Sequence, residues 1–195
     1  LHFLVIGRQM RLVSYNLLYG GEGRADPLAE VIEAQHADVV ALVEATDLQV
    51  IERIAGRLGF DFVQGPGKTM ACALLTRWTI RESINHALLR SELTKSLLET
   101  TIVEPTGRDW NIGVLHLHAH AREQDEVIRE NELSAVLDIF TPQRSTGRPH
   151  LLCGDFNANS PTQRIDPGRC TPYTRENWAE NGGHLPRRVV QSMLD

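Results

Sequence analysis

No apolar run in this 195-residue chain approaches the length needed to cross a bilayer, which argues against a spanning helix. Cysteine is scarce: Cys72, Cys153 and Cys170 form no paired framework, so a disulfide scaffold is excluded and a reducing, cytoplasmic setting is expected. Basic charge is also short, with 20 Lys and Arg against 25 Asp and Glu and a formal net charge of -5. That balance argues against a protein that grips long nucleic acid by broad phosphate neutralisation, and favours a small phosphoester. Arg169, Arg175, Arg187 and Arg188, beside Trp178 and His184, read as solvated surface rather than a binding stripe. There is no internal repeat or low-complexity stretch, so a solenoid is not expected. The opening Leu-His-Phe-Leu-Val-Ile-Gly is too short for a signal core and lacks a charged start. Residues 1–9 are expected to be an extension or a lead-in to the first strand, with Met10 a candidate start, leaving 10–195 as one domain.

What remains is ordinary for one sizeable core, at 42% hydrophobic and 23% charged. Apolar period alternates between two and 3.6, which predicts an α/β sandwich. Asp26-Pro27 predicts an N-cap followed by a helix burying Leu28, Val31 and Ile32. Asp47 is expected to cap a second helix, with Val50, Ile51, Ile54 and Leu58 inward and Gly59 ending it. Strands are expected at 60–63, 71–76, 79–86, 97–103 and 110–117, mostly antiparallel because short links join them. The longest helix is predicted over 123–140, burying Val127, Ile128, Leu133, Val136, Leu137 and Phe140 and ending at Thr141-Pro142. A loop over 141–148 follows. Residues 160–183, polar and rich in Pro, Gly and Arg, read as a mobile loop, and 185–195 as an amphipathic helix with Val189, Val190, Met193 and Leu194 on one side.

Chemistry concentrates where strands end. Leu151-Leu152-Cys153-Gly154-Asp155-Phe156-Asn157 closes an apolar strand on a glycine turn, and an extended backbone would send Asp155 and Asn157 out on one face. Alone, this tetrapeptide is also a turn in which both side chains bond nearby backbone amides. Two more apolar strands end in oxygen-bearing side chains: 11–16 in Asn16 and 38–44 in Glu44. A later strand carries His116.

In that order, Ser14-Tyr15-Asn16, Leu42-Val43-Glu44, Ala73-Leu74-Leu75-Thr76-Arg77, Val114-Leu115-His116-Leu117 and Gly154-Asp155-Phe156-Asn157 resemble the endonuclease/exonuclease/phosphatase superfamily. The likeness runs along nearly the whole chain. It departs at Val43, where the family commonly has Gln, and in lacking the Ser-Asp-His element that the family carries in its final segment. The resemblance implies a four-layered α/β sandwich, two mostly antiparallel sheets face to face with helices outside, here without its last strands. It also implies a metal-dependent phosphoester hydrolase acting on a phosphoester substrate, nucleic acid included. Glu44 would be the principal ligand of Mg2+ or Mn2+, supported by Asn16; Asp155 would orient or deprotonate the attacking water; Asn157 and His116 would bind and stabilise the phosphoryl group. The departures imply a rival: a catalytically impaired remnant that binds a phosphorylated ligand or partner.

His116, His118 and His120 alternate, which on a continuing strand would set three imidazoles on one face. That spacing raises a zinc hydrolase as a lesser alternative.

Overall fold

The computed structural model describes residues 9–194; the lead-in expected over 1–9 lies, but for Gln9, outside the described residues, as does Asp195. Eight strands form two four-stranded sheets. The first, in the order β1-β2-β4-β3, contains β1 (Leu12–Asn16), β2 (Val39–Val43), β3 (Asp61–Gly65) and β4 (Cys72–Thr76). The second, in the order β5-β6-β7-β8, contains β5 (Thr79–Asn85), β6 (Ser96–Val103), β7 (Asp109–His116) and β8 (His150–Asp155). Helices α1 (Ala25–Glu33) and α2 (Leu48–Leu58) cover the first sheet, while α3 (Glu123–Ile139) packs on the second with α6 (Arg188–Leu194) against it. Between them lie α4 (Thr141–Thr146) and α5 (Pro172–Glu180). This is the expected α/β sandwich.

The inter-sheet core joins Val39, Ala41, Val43 and Leu74 to Leu98, Ile102, Ile112 and Val114. Because β2 is covered on both faces, its five residues are all apolar and all buried. Most pairings are antiparallel, but each sheet holds one parallel pair, β1 with β2 and β7 with β8. A parallel pair needs a crossover, which α1 supplies in one case and α3 with α4 in the other. The two parallel pairs face each other across the core, so four strand C-termini emerge at one end of the sandwich.

Several local expectations are corrected. Helix α1 starts at Ala25 with Arg24 at the cap, because Asp26 is engaged by Arg53 of α2 at 2.9 Å instead of capping. Its buried face is Leu28, Ala29 and Ile32, leaving Val31 outside. Asp47 does cap α2, accepting from the amides of Gln49 and Val50, and Gly59 closes it in the left-handed region at φ 66°. The 141–148 loop contains α4, with Pro142 in its first turn, where a missing N–H costs nothing. The 160–183 loop contains a 3-10 turn (Pro167–Arg169) and α5, capped by Thr171. Of the arginines read as solvated, Arg169, Arg175 and Arg188 are exposed as expected, Arg188 pairing with Glu123 and Glu130, while half-buried Arg187 donates to the carbonyls of Ser160 and Pro161. In α6, Val189 is buried while Met193 and Leu194 are exposed.

The largest correction concerns α3. Leu133, Val136 and Phe140 are buried as expected, but Val127 is 50% exposed. The N-terminal half turns a charged face inward instead: Asp125, Glu126, Arg129 and Glu132. Arg129, 2% exposed, pairs with buried Glu126 at 2.8 Å and donates to the carbonyls of His118 and His120. It thus fixes the irregular segment that leaves β7. Arg129→Ala strands the Glu126 carboxylate in the core, and a loss of about 3–5 kcal/mol in chemical denaturation is expected.

A second buried charge lies on the outer face of β6. Glu99 accepts hydrogen bonds from Asn111 and Gln143 and meets His86 Nε2 at 2.6 Å. Burial works to raise its pKa, but the hydrogen bonds from His86 and Asn111 outweigh it and hold the carboxyl below its ordinary 4.5. A depressed carboxyl contributes stability above its unfolded value, lost as pH falls through the folded one. Glu99→Gln is therefore expected to flatten the dependence of unfolding free energy on pH below about 4.5, measured by urea titration across that range.

Candidate active site

Register builds the site. Asn16 pairs with Val43 at the ends of β1 and β2, so Glu44 follows directly beside it; His116 pairs with Asp155 at the ends of β7 and β8. The facing sheets then bring the two tips together. Asn16 Nδ2 lies 3.2 Å from Glu44 Oε1 and 3.3 Å from Asp155 Oδ2, one amide between carboxylates from opposite sheets. His116 Nε2 stands 3.9 Å from Asp155 Oδ2.

The backbone here is unusual. Glu44 has φ 55°, a left-handed conformation that costs a non-glycine residue about 1 kcal/mol or more. Its Oε2 accepts the Tyr19 amide at 2.8 Å, and its carbonyl accepts the Gly20 amide. Asn16 Oδ1 accepts the Leu18 amide at 2.8 Å, which fixes the orientation of its amide group. At Gly154, φ is 129° and a Cβ would sit 2.0 Å from the Leu115 carbonyl oxygen, so the strand tip tolerates glycine alone.

Asp155 and Asn157 do not leave one extended face, because β8 stops at Asp155 and Asn157 turns to φ 49°. The turn and the site coexist. Asp155 Oδ1 accepts the Asn157 amide at 2.9 Å, while Oδ2 faces Asn16. Asn157 Nδ2 donates to the Leu117 carbonyl at 2.9 Å, which leaves its second N–H for another acceptor.

The triple-histidine face does not form, since β7 ends at His116 and His120 takes φ 75°. Each ring has its own partner: Lys95 for His116, Asp125 for His118 and Tyr173 for His120. Among the described residues, no three His, Cys, Asp or Glu side chains are arranged to share a metal ion. The paired carboxylates of Glu44 and Asp155 carry no Lys or Arg ion pair among the described residues. Two carboxylates from facing strand tips could hold a hard divalent cation that keeps several waters, and Asn16, which faces them through its Nδ2 donor, orients them.

Sequence reasoning missed Lys95. Its Nζ lies 2.8 Å from His116 Nε2. Ser96 opens β6 opposite His116 in an antiparallel register, so the residue before Ser96 arrives at the same end as the strand tips. A search confined to strand C-termini passes over it. Burial lowers the Lys95 pKa, opposed by the nearby charges of Asp155, Glu44 and Glu132. Burial, and then Lys95 itself, lower that of His116, opposed by the charges of Asp155, Glu44 and Glu132. With Lys95 as an ammonium donor, Nε2 accepts, and Nδ1 is buried with no hydrogen-bond partner among the described residues. Glu132 organises this corner, accepting from the Thr94 amide and hydroxyl through one oxygen and from the His118 amide through the other. By contrast Thr76-Arg77 ends β4 at the far end of the sandwich, where Arg77 meets Asp38 at 3.6 Å.

A family model described as the Endonuclease/Exonuclease/phosphatase family matches residues 13–188. Comparison with curated protein sequences gives no match. Among solved structures, an endonuclease/exonuclease/phosphatase from Beutenbergia cavernae DSM 12333 has a TM-score of 0.66 at 19% identity, covering 96% of this chain and 53% of that one. A D. rerio TDP2 complexed with single strand DNA product gives 0.56 at 19% identity, covering 91% and 66%. A Bacteroides thetaiotaomicron VPI-5482 mannosyl-6-phosphatase gives 0.62 at 16% identity, covering 80% and 68%. The chain thus spans between 53% and 68% of the length of these three structures, and the likeness to them is one of fold.

Proposed function

Since the chain belongs to the endonuclease/exonuclease/phosphatase family, we propose that it hydrolyses phosphoesters, with Glu44 as the ligand of Mg2+ or Mn2+ and Asn16 in support through its hydrogen bonds to Glu44 and Asp155. The observation that carries this reading is the Asn16 amide within 3.3 Å of both Glu44 and Asp155. When bound, the ion supplies charge neutralisation at the phosphoryl oxygens and acidifies a coordinated water.

The remaining work falls to the chain. Asp155, anchored through Oδ1 by the Asn157 amide, presents Oδ2 to orient and deprotonate the attacking water. Asn157 gives its free N–H to a phosphoryl oxygen. His116 stabilises the phosphoryl group together with Lys95, which it holds and whose remaining N–H donors meet the charge that grows on phosphate. Donors fixed in place need no reorganisation as that charge develops.

Two further expectations belong to this reading. The three free thiols support a reducing, cytoplasmic setting, and burial pushes the thiols of Cys72 and Cys153 up to about 12, so both are inert. No helix among the described residues is long and apolar enough to cross a membrane. The test is hydrolysis of bis(p-nitrophenyl) phosphate and p-nitrophenyl phosphate with and without Mg2+ or Mn2+. Release of p-nitrophenol that a chelator abolishes is expected; equal release with chelator present refutes the reading.

A further inference from the structure

Directly after the proposed cation ligand Asn16, the chain does something its core does not require. Leu18 and Tyr19 take φ 54° and 53°, two consecutive non-glycine residues in the left-handed region, followed by Gly20 and Gly21 also at positive φ. Such a backbone persists only where its surroundings over-determine it. Here they do: the Leu18 amide is held by Asn16 Oδ1, the Tyr19 amide by Glu44 Oε2, and Arg24 Nη2 clamps the carbonyls of Leu17 and Leu18. At Gly20 a Cβ would meet Thr46 Oγ1 at 2.9 Å, so the loop is pressed closely onto the segment that follows Glu44.

This locked turn presents apolar side chains to solvent. Tyr19 is 74% exposed and Leu18 54%. Leu17, by contrast, is fully buried in the core, so the loop has one inward anchor and two outward groups. The Tyr19 ring and hydroxyl make no hydrogen bond or ring contact among the described residues. Because the Tyr19 amide donates to the Glu44 carboxylate, the ring lies within one side-chain length of that carboxylate.

We propose that Leu18 and Tyr19 form a substrate platform on which a planar aromatic group of the phosphoester stacks, either a nucleobase or an aryl ester. The proposal rests on the phosphoester-hydrolase reading above and names the substrate class that the site selects. A rigid aromatic ring gives large contact area at low entropic cost, and every base offers it a π-face. The ammonium of Lys95 and the carboxamide of Asn157 serve the phosphate; neither discriminates the organic half of the ester. Discrimination therefore falls to the groups beside the site that are free to meet that half.

The test is calorimetric binding, in the presence of Mn2+, of three probes that share a phosphate monoester: thymidine 5′-monophosphate, phenyl phosphate and ribose 5-phosphate. The wild-type chain is expected to bind at least one aromatic probe roughly tenfold or more tightly than ribose 5-phosphate. Tighter binding of the nucleotide alone assigns the platform to a nucleobase, and of phenyl phosphate alone to an aryl ester. Tyr19→Ala should remove the preference and Tyr19→Phe should keep it. Both variants retain the Tyr19 backbone amide, so Mn2+ affinity should be unchanged and serves as the folding control. If the three probes bind alike to wild type, or if Tyr19→Ala leaves the preference intact, the platform is wrong while the phosphate site stands. If none of the three binds and no phosphoester is hydrolysed, it is the hydrolase reading that fails.

Discussion

Asp155→Asn is expected to lower kcat by about 10²- to 10⁴-fold, the range for removing a positioned general base. The asparagine oxygen can still accept the Asn157 amide, so the turn that ends β8 survives. What changes is the atom facing Asn16: an N–H replaces a carboxylate oxygen and no longer takes a proton from water. KM should move much less than kcat, because Lys95 and Asn157, the donors proposed to face phosphate, are untouched. Steady-state kinetics, run beside a denaturation curve to verify the fold, check this; an unchanged kcat would remove Asp155 from the chemistry.

The second large effect belongs to Glu44→Gln. The substitution keeps shape and one acceptor for the Tyr19 amide, but halves the charge facing the cation and turns an N–H toward Asn16 Nδ2. Outer-shell partners of metal ligands alone are worth roughly 10- to 100-fold in affinity, so losing the carboxylate proposed as direct ligand should cost more than about 100-fold. Activity should fall with it and recover partly at high Mn2+. A simple structural role for Glu44 predicts the opposite pattern, a loss of stability that added cation does not restore.

The four strand-tip residues were legible because the code there is local. An apolar run broken by a single Asn, Glu, His or Asp marks where a strand leaves the core, and chain order then matched a known family. That they converge depends on two parallel pairs facing one another, which no local pattern states; the resemblance carried that step. Lys95 was hidden because its relevance comes from an antiparallel register with β7 and not from its neighbours in sequence. The charged inner face of α3 was misread for a related reason. Periodicity counts apolar residues, so it cannot foresee that Arg129 and Glu132 are buried to satisfy carbonyls and amides of the segments that flank His116 and Lys95. An extended backbone is the expectation at Asn157, and its turn to positive φ accompanies the short reach of Asp155 Oδ1 to the amide two residues on.

The proposed cation sits between the two sheets, held by Glu44 with Asn16 in support. Titration of Mn2+ into the protein, followed by electron paramagnetic resonance, addresses this directly and independently of turnover. One saturable Mn2+ site that Mg2+ displaces, and that Glu44→Gln weakens by more than about 100-fold, is the predicted result. A wild-type chain that binds no divalent cation, or a Glu44→Gln variant that binds as tightly as wild type, would contradict it.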